Sequence, residues 1–224
     1  KKKRKYSYRL LFSSETIGTI CYIKKRLNNL KKSVVAGYIL TCLGDEKCYS
    51  YLKSKTENSI SDKIAFKVFK KLKYRKKFYG WLDRGSDERQ FNAPGVELNL
   101  GSIMRSKYQT FKEYHTSADA LDTLVTPKGL SQSFSFLKKI IKEIENSIIP
   151  SSKVICEPFL SKRKLYPSLG KTGIKSKNQN YIWNFISYAN GNYLIGDIAK
   201  KMKISSRKAQ KIAEVLKKHK LIDY

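Results

Sequence analysis

The chain has 224 residues, 47 of them lysine or arginine against 18 aspartate or glutamate, for a formal charge of +29. That length suits one substantial core with a small appended domain, and no run approaches the roughly 18 continuous apolar residues of a membrane span. The basic opening, residues 1–5, lacks the apolar stretch and cleavage site of a secretory leader, and it is the cysteine usage that suits a cytoplasmic protein.

Residues 6–13 alternate aromatic or aliphatic side chains with smaller or polar ones, which predicts a strand. Over 15–30, apolar residues at 17, 20, 23, 27 and 30 have helical spacing. The apolar run 34–43 suits a strand buried on both faces, and 49–53 an edge strand. Apolar positions 60, 64, 65, 68, 69 and 72 predict a helix with a lysine-rich outer face, and a further strand follows over 96–104. A long helix to about residue 148 is announced by Thr126 as cap and Pro127 at the first helical position. Leu130, Phe134, Leu137, Ile140, Ile141 and Ile144 then repeat along one face. Strands alternating with helices predict an α/β domain over 1–149, a mixed sheet flanked by helices.

Residues 150–177 carry Pro, Ser, Gly and Lys without periodicity and read as a linker or wrapping segment. Over 178–224, a helix around Tyr181–Tyr188 precedes two short helices joined by a tight turn, the second capped by serine, which predicts a small winged helix-turn-helix domain. Arg207, Lys208 and Lys211 open the second of these helices, where a recognition helix meets the DNA groove, and are the candidate nucleic-acid contacts. The same fold also serves as a packing or dimerisation module, so an oligomer is open as well. The overall charge favours anionic partners, while its spread along a Lys-, Asn-, Ile- and Tyr-rich chain equally fits AT-biased codon usage. Cysteines stand at 21, 42, 48 and 156 with no Cys-x-x-Cys pair, which fits reduced thiols better than a zinc knuckle or a disulfide framework.

Chemistry concentrates in Gly85-Ser-Asp-Glu-Arg-Gln and in Glu113-Tyr-His-Thr-Ser-Ala-Asp119, the second holding His115, one of two histidines in the chain. In chain order stand Tyr8-Arg9 to Phe12, Glu15 to Gly18, Leu40 to Asp45, Gly85 to Gln90, Glu113 to Ser117 and Cys156 to Pro158. This series resembles a bacterial aminopeptidase-like family, long described as of unknown function, that ends in a winged helix-turn-helix domain. It is similar more distantly to zinc aminopeptidases of the type that includes the transferrin-receptor and glutamate-carboxypeptidase relatives. The resemblance implies a zinc-exopeptidase-like fold and a hydrolase of peptide or related amide bonds. It implies His115 as a zinc ligand and Glu15 as the catalytic base, with Asp87, Glu88, Arg89 and Tyr114 near the substrate. Read from the residues alone, Glu15 equally suits a first-turn acid favoured by the helix dipole. Asp87, Glu88 and Arg89 equally suit internal ion pairing, and Asp119 suits a cap for a short following helix, with Asp122 a weaker candidate.

The sequence departs from the two-metal pattern: Thr16 replaces the second acid after Glu15, and Thr41-Cys42 stands where a metal-binding aspartate is placed. The resemblance therefore implies one zinc, whose other ligands, a His-Pro segment and a following acid or amide, would lie before residue 6. The chain is expected to be the C-terminal part of a longer protein, inactive alone with its N-terminal part missing. Two alternatives stand beside this reading: a non-catalytic nucleic-acid-binding or regulatory protein on a degenerate peptidase fold, and a hydrolase of a non-peptide amide. No membrane partner is expected.

Overall fold

The computed structural model describes residues 4–163, 165 and 177–224, and within it the side chains of residues 177–179 are left aside. The chain divides into two compact units, Lys1–Asn146 and Ser147–Tyr224.

The first unit is a mixed α/β domain. Its elements run α1 (Ile17–Ser33), β1 (Tyr38–Leu40), β2 (Tyr49–Leu52), α2 (Ile60–Lys70), β3 (Lys76–Tyr79), α3 (Glu88–Phe91), β4 (Gly101–Met104) and α4 (Pro127–Asn146). The four strands lie in the order β1-β4-β2-β3. β1 and β4 are parallel, as are β2 and β3, and β2 and β4 run antiparallel, with Tyr51 opposite Ile103. Alternate side chains leave a strand on opposite faces, and β2 uses this to bind two layers. Tyr49 and Tyr51 turn to one side, where they meet Phe136 of α4 and Phe66 and Phe69 of α2 with ring centroids 4.9–5.8 Å apart. Leu52 turns to the other side and joins Met104 and Tyr108 in a second cluster that includes Cys42 and Tyr114. α1 and α3 close a third cluster, of Ile23, Phe91 and Leu100.

α2 follows from its sequence. Ser59 and Asp62 form a reciprocal capping box, and the fully buried Asp62 also accepts from Tyr51, the Ser54 amide and the Ser54 hydroxyl. α4 begins at Pro127, as expected, and Thr126 Oγ1 accepts the Gly129 amide at 2.9 Å.

Several expectations are corrected. Residues 6–13 form no strand: no described strand lies beside them, so their backbone finds no ladder. Phe12 is 92% exposed, and the segment is instead tied to the Glu145 carboxylate by the Lys5 amide and the Tyr8 hydroxyl. The run 34–43 yields only a three-residue strand at the sheet edge, with Leu40 exposed, rather than a strand buried on both faces. β2 is an inner strand with all four residues buried, not an edge, because the lysine-rich β3, which the apolar pattern did not disclose, pairs beyond it. The strand expected over 96–104 narrows to β4. No helix follows Asp119; residues 116–124 form successive turns.

The second unit contains β5 (Ser151–Ser152), α5 (Lys177–Tyr188), α6 (Ile195–Lys201), α7 (Ser206–Lys218) and β6 (Ile222–Asp223), with β5 and β6 antiparallel. Of the segment expected to link or wrap, residues 151–152 therefore join a sheet and Leu160 enters the core, while 164 and 166–176 lie outside the described residues. α6 and α7 form the helix-turn-helix, with Lys203 at φ 53° in the turn and Ser205 Oγ accepting the Lys208 amide. Phe185, Ile198, Ala199, Ala209, Ala213, Leu216 and Leu221 make its dry core. Among the described residues no helix is long and apolar enough to cross a membrane.

Candidate functional site

β1 and β4 are parallel neighbours, so their carboxyl ends lie at the same end of the sheet, the end where open α/β sheets place ligands. The chain leaves β1 through Thr41 to Asp45 and leaves β4 through Arg105 to Tyr108. The two exits are stitched together by the Arg105 amide donating to Cys42 O at 2.9 Å. Asp45 fixes the junction: its buried carboxylate accepts the Ser106 amide, the Ser106 hydroxyl and the Lys47 amide at 2.7–3.0 Å. Above these loops opens a cavity of about 410 Å³. Glu15, Cys42, Ser86, Tyr108, Phe111, Tyr114, His115 and Asp119 are among its lining residues.

Glu15 reaches the cavity from the turn that enters α1. Thr16 beside it holds φ 63°, a conformation a β-branched residue rarely adopts, and its amide donates to Asp87 Oδ1 at 2.8 Å. Asp87 thus pins the entry to α1. His115 also takes a left-handed backbone, φ 57°, and its ring stacks on Tyr114 with centroids 4.0 Å apart and 16° between planes. Their loop is anchored by Glu113, which pairs with Lys47 at 3.1 Å. Burial raises the Tyr114 hydroxyl above its ordinary pKa, and Cys42, Glu15 and Asp119 add to the shift. Burial likewise raises the Cys42 thiol, against a lowering hydrogen bond with Thr41, and the charges of Asp119, Asp45 and Glu15 push it further up. Cys42 is therefore a neutral thiol near neutral pH.

The structure brings Glu15, Tyr114, His115 and Asp119 to one cavity and places the other expected residues elsewhere. Glu88 is fully buried and is not among the residues lining the cavity. Its carboxylate accepts the Gly85 and Ser86 amides, the Tyr108 hydroxyl and the Ser102 hydroxyl at 2.7–2.9 Å. Burial acts to raise this carboxyl, but the hydrogen bonds outweigh it and the net shift is downward. Glu88 is the brace behind two lining residues, Ser86 and Tyr108. Arg89 points to solvent and its Nε donates to Ser86 O, and neither it nor Asp122 lines the cavity. Cys42, Asp45, Ser86, Tyr108 and Phe111 were not expected as lining residues. The signal that could have found Cys42, Asp45, Tyr108 and Phe111 is their place just after β1 and β4 or in the loop beside His115, while Ser86 lies in the loop before α3.

Among the described residues no group of three His, Cys, Asp or Glu converges as a metal site. One imidazole does not hold zinc, which takes about three protein ligands even in an open catalytic site. The described residues by themselves do not make a complete zinc centre.

In the second unit Arg207, Lys208 and Lys211 are all exposed on α7, and the Lys208 ammonium lies 3.5 Å from the centre of the Tyr181 ring.

Comparison with known proteins agrees with this architecture. Residues 1–147 match the family described as a domain of unknown function, DUF4910. The chain belongs to that family. In this DUF4910 protein, residues 148–224 match a winged helix-turn-helix family. A candidate polysaccharide biosynthesis protein with an aminopeptidase-like domain, from Clostridium acetobutylicum, is 36% identical over 220 residues, covering 96% of this chain and 49% of the relative. A crystal structure of a candidate peptidase from Clostridium acetobutylicum superposes with a TM-score of 0.63 at 33% identity, over 99% of this chain and 49% of that one. The DUF4910 chain thus spans about half the length of the relatives it matches.

Proposed function

We propose that this DUF4910 chain supplies one wall of the active site of an aminopeptidase-like hydrolase acting on peptide or related amide bonds. The observation that carries the reading is the meeting of Glu15, His115 and Tyr114 at one cavity beyond the carboxyl ends of β1 and β4. They are delivered there by separate segments, two of them in left-handed backbone at or next to the key residue. Such backbone costs of order 1–3 kcal/mol per residue and concentrates at functional sites. In this reading Glu15 is the general base, a role suited by a carboxylate at the cavity that has no ion-pair or hydrogen-bond partner among the described residues. His115 is one ligand of a single zinc, completed by residues other than those described, and the resemblance to zinc aminopeptidases is what suggests that metal. The names of the relatives support a peptidase-like activity.

The test is made on the full-length gene product. His115→Ala is expected to lower the zinc content measured by elemental analysis. Glu15→Gln is expected to leave zinc in place and slow aminoacyl-amide hydrolysis by roughly 10²–10⁴-fold, the usual contribution of a general base. Full activity in Glu15→Gln returns Glu15 to a helix-entry role, and unchanged zinc in His115→Ala removes His115 from the metal site.

For the winged helix-turn-helix, the exposed cationic face of α7 favours contact with nucleic-acid phosphates, mostly electrostatic, with little reading of base sequence.

A further inference from the structure

The cavity in the first unit reverses the character of the molecule around it. The chain carries 47 basic and 18 acidic residues, yet among the described residues no lysine or arginine lines the cavity, while Glu15, Asp45 and Asp119 do. Two lysines stand next to lining residues without lining the cavity themselves: Lys107, whose ammonium lies 4.1 Å from the centre of the Tyr108 ring and donates to Tyr108 O, and Lys47, 5.7 Å from the centre of the Phe111 ring and paired with Glu113. Asp45 is spent on Ser106 and the Lys47 amide. No internal hydrogen bond or ion pair among the described residues engages the carboxylates of Glu15 or Asp119. Two uncommitted carboxylates in the lining attract a cation by direct charge. The lining also has an aliphatic share, Leu43, Leu124, Val125 and Leu130, of which Leu124 is buried. A charged group placed against these side chains would lose water and find no partner.

We infer that the cavity selects an amine-bearing ligand with a bulky uncharged side chain: the amide of a leucine- or phenylalanine-like amino acid, rather than of glycine, glutamate or lysine. The ammonium faces Glu15 and Asp119, and the side chain lies along Leu124 and Leu130. This rests on the hydrolase reading above for the site's purpose, but the recognition itself requires no turnover.

The experiment titrates the 224-residue chain with leucinamide, glycinamide, N-acetyl-leucinamide and lysinamide, by calorimetry and by NMR of the imidazole protons. Those protons come from His115 and His219 alone, because the chain has two histidines. Leucinamide is expected to bind at least about tenfold more tightly than glycinamide or lysinamide and to move the His115 signals, as a hydrophobic pocket discriminates by roughly 10–200-fold. Acetylation, which removes the cation, should abolish the effect. Leu130 is 45% exposed, so a change there leaves the core intact. Leu130→Asn, which removes aliphatic surface without adding charge, should narrow the preference for leucinamide over glycinamide. The pair Glu15→Gln and Asp119→Asn should weaken both amines. Equal binding of glycinamide, tighter binding of lysinamide, retained binding of the acetylated probe, or no binding of any probe would each overturn the inference. Should the binding pattern hold while the full-length gene product cleaves none of these amides, the hydrolase reading fails and this one stands. Cleavage that favours charged or glycyl substrates has the opposite meaning.

Discussion

Glu88 shows how far a residue's type can mislead about its place. In sequence it sits between Asp87 and Arg89 in a polar, glycine-flanked loop, and all three look like ligand contacts. The fold separates them: Asp87 reaches the α1 entry, Arg89 turns to solvent, and Glu88 turns inward to four donors. Removing one partner from such a network strands the others, and Glu88→Ala should cost about 3 kcal/mol in urea unfolding. The pH dependence has a definite sign. The folded carboxyl titrates below its unfolded value, near 4.3 for glutamate, so its stabilisation is complete above that value and disappears as pH falls through the folded one. The stability gap between wild type and Glu88→Gln should therefore be largest near neutrality and shrink below about pH 4. A gap that stays constant down to about pH 3 would mean the carboxylate charge contributes nothing. His115 was easier to place, since a rare residue after a strand and before a punctuated loop carries its own signal.

At the level of elements, helices were legible and strand positions were not. α2 and α4 declare themselves through caps and a 3.6-residue apolar period, both local properties of the chain. Whether a strand is inner or outer depends on what pairs with it, and that is not local. β2 was expected at an edge, yet β3, whose lysine-rich sequence carries no apolar signal, pairs beyond it with a Lys-Lys pair on the outside, a common way to blunt an exposed edge. The aromatic alternation of residues 6–13 predicted a strand for the same reason, and without a described neighbour it makes none. α4 offers a test of packing. A methyl group on Gly129 would fall on the Gly44 carbonyl oxygen, backbone against backbone. Neither side can yield by a rotamer change, so Gly129→Ala should destabilise by about 1–3 kcal/mol in thermal or urea unfolding. Because Gly44 borders the cavity, leucinamide affinity should fall with it.

For the molecule as a whole, the alternation of strand-like and helix-like segments foretold the class of architecture, and composition left the partner open. The charge of +29 sets the expected behaviour toward duplex DNA: binding by the 224-residue chain should fall steeply and linearly in log–log form with salt, and differ little between unrelated sequences. Replacing Arg207, Lys208 and Lys211 together by alanine should flatten that slope by about one for each phosphate no longer neutralised. An unchanged slope would assign the attraction to charge spread over the rest of the chain. A strong preference for one duplex would mean that bases are read after all. The winged helix-turn-helix itself was readable because its core positions, from Ile198 to Leu221, follow one another at helical spacing within a short stretch. The cavity was only half readable, because Tyr108 and Cys42 are far apart in sequence and meet through the β1–β4 pairing.

Thr16, Cys42 and His115 all hold positive φ at or beside the cavity, a conformation that glycine adopts with no steric penalty. A population of variants screened only for heat tolerance should therefore drift toward glycine at Thr16 and Cys42. Such lineages would grow hardier as their cavity lost the shape that Thr16 and Cys42 impose on it. Persistence of these residues under relaxed functional demand would instead show that their side chains repay the strain locally.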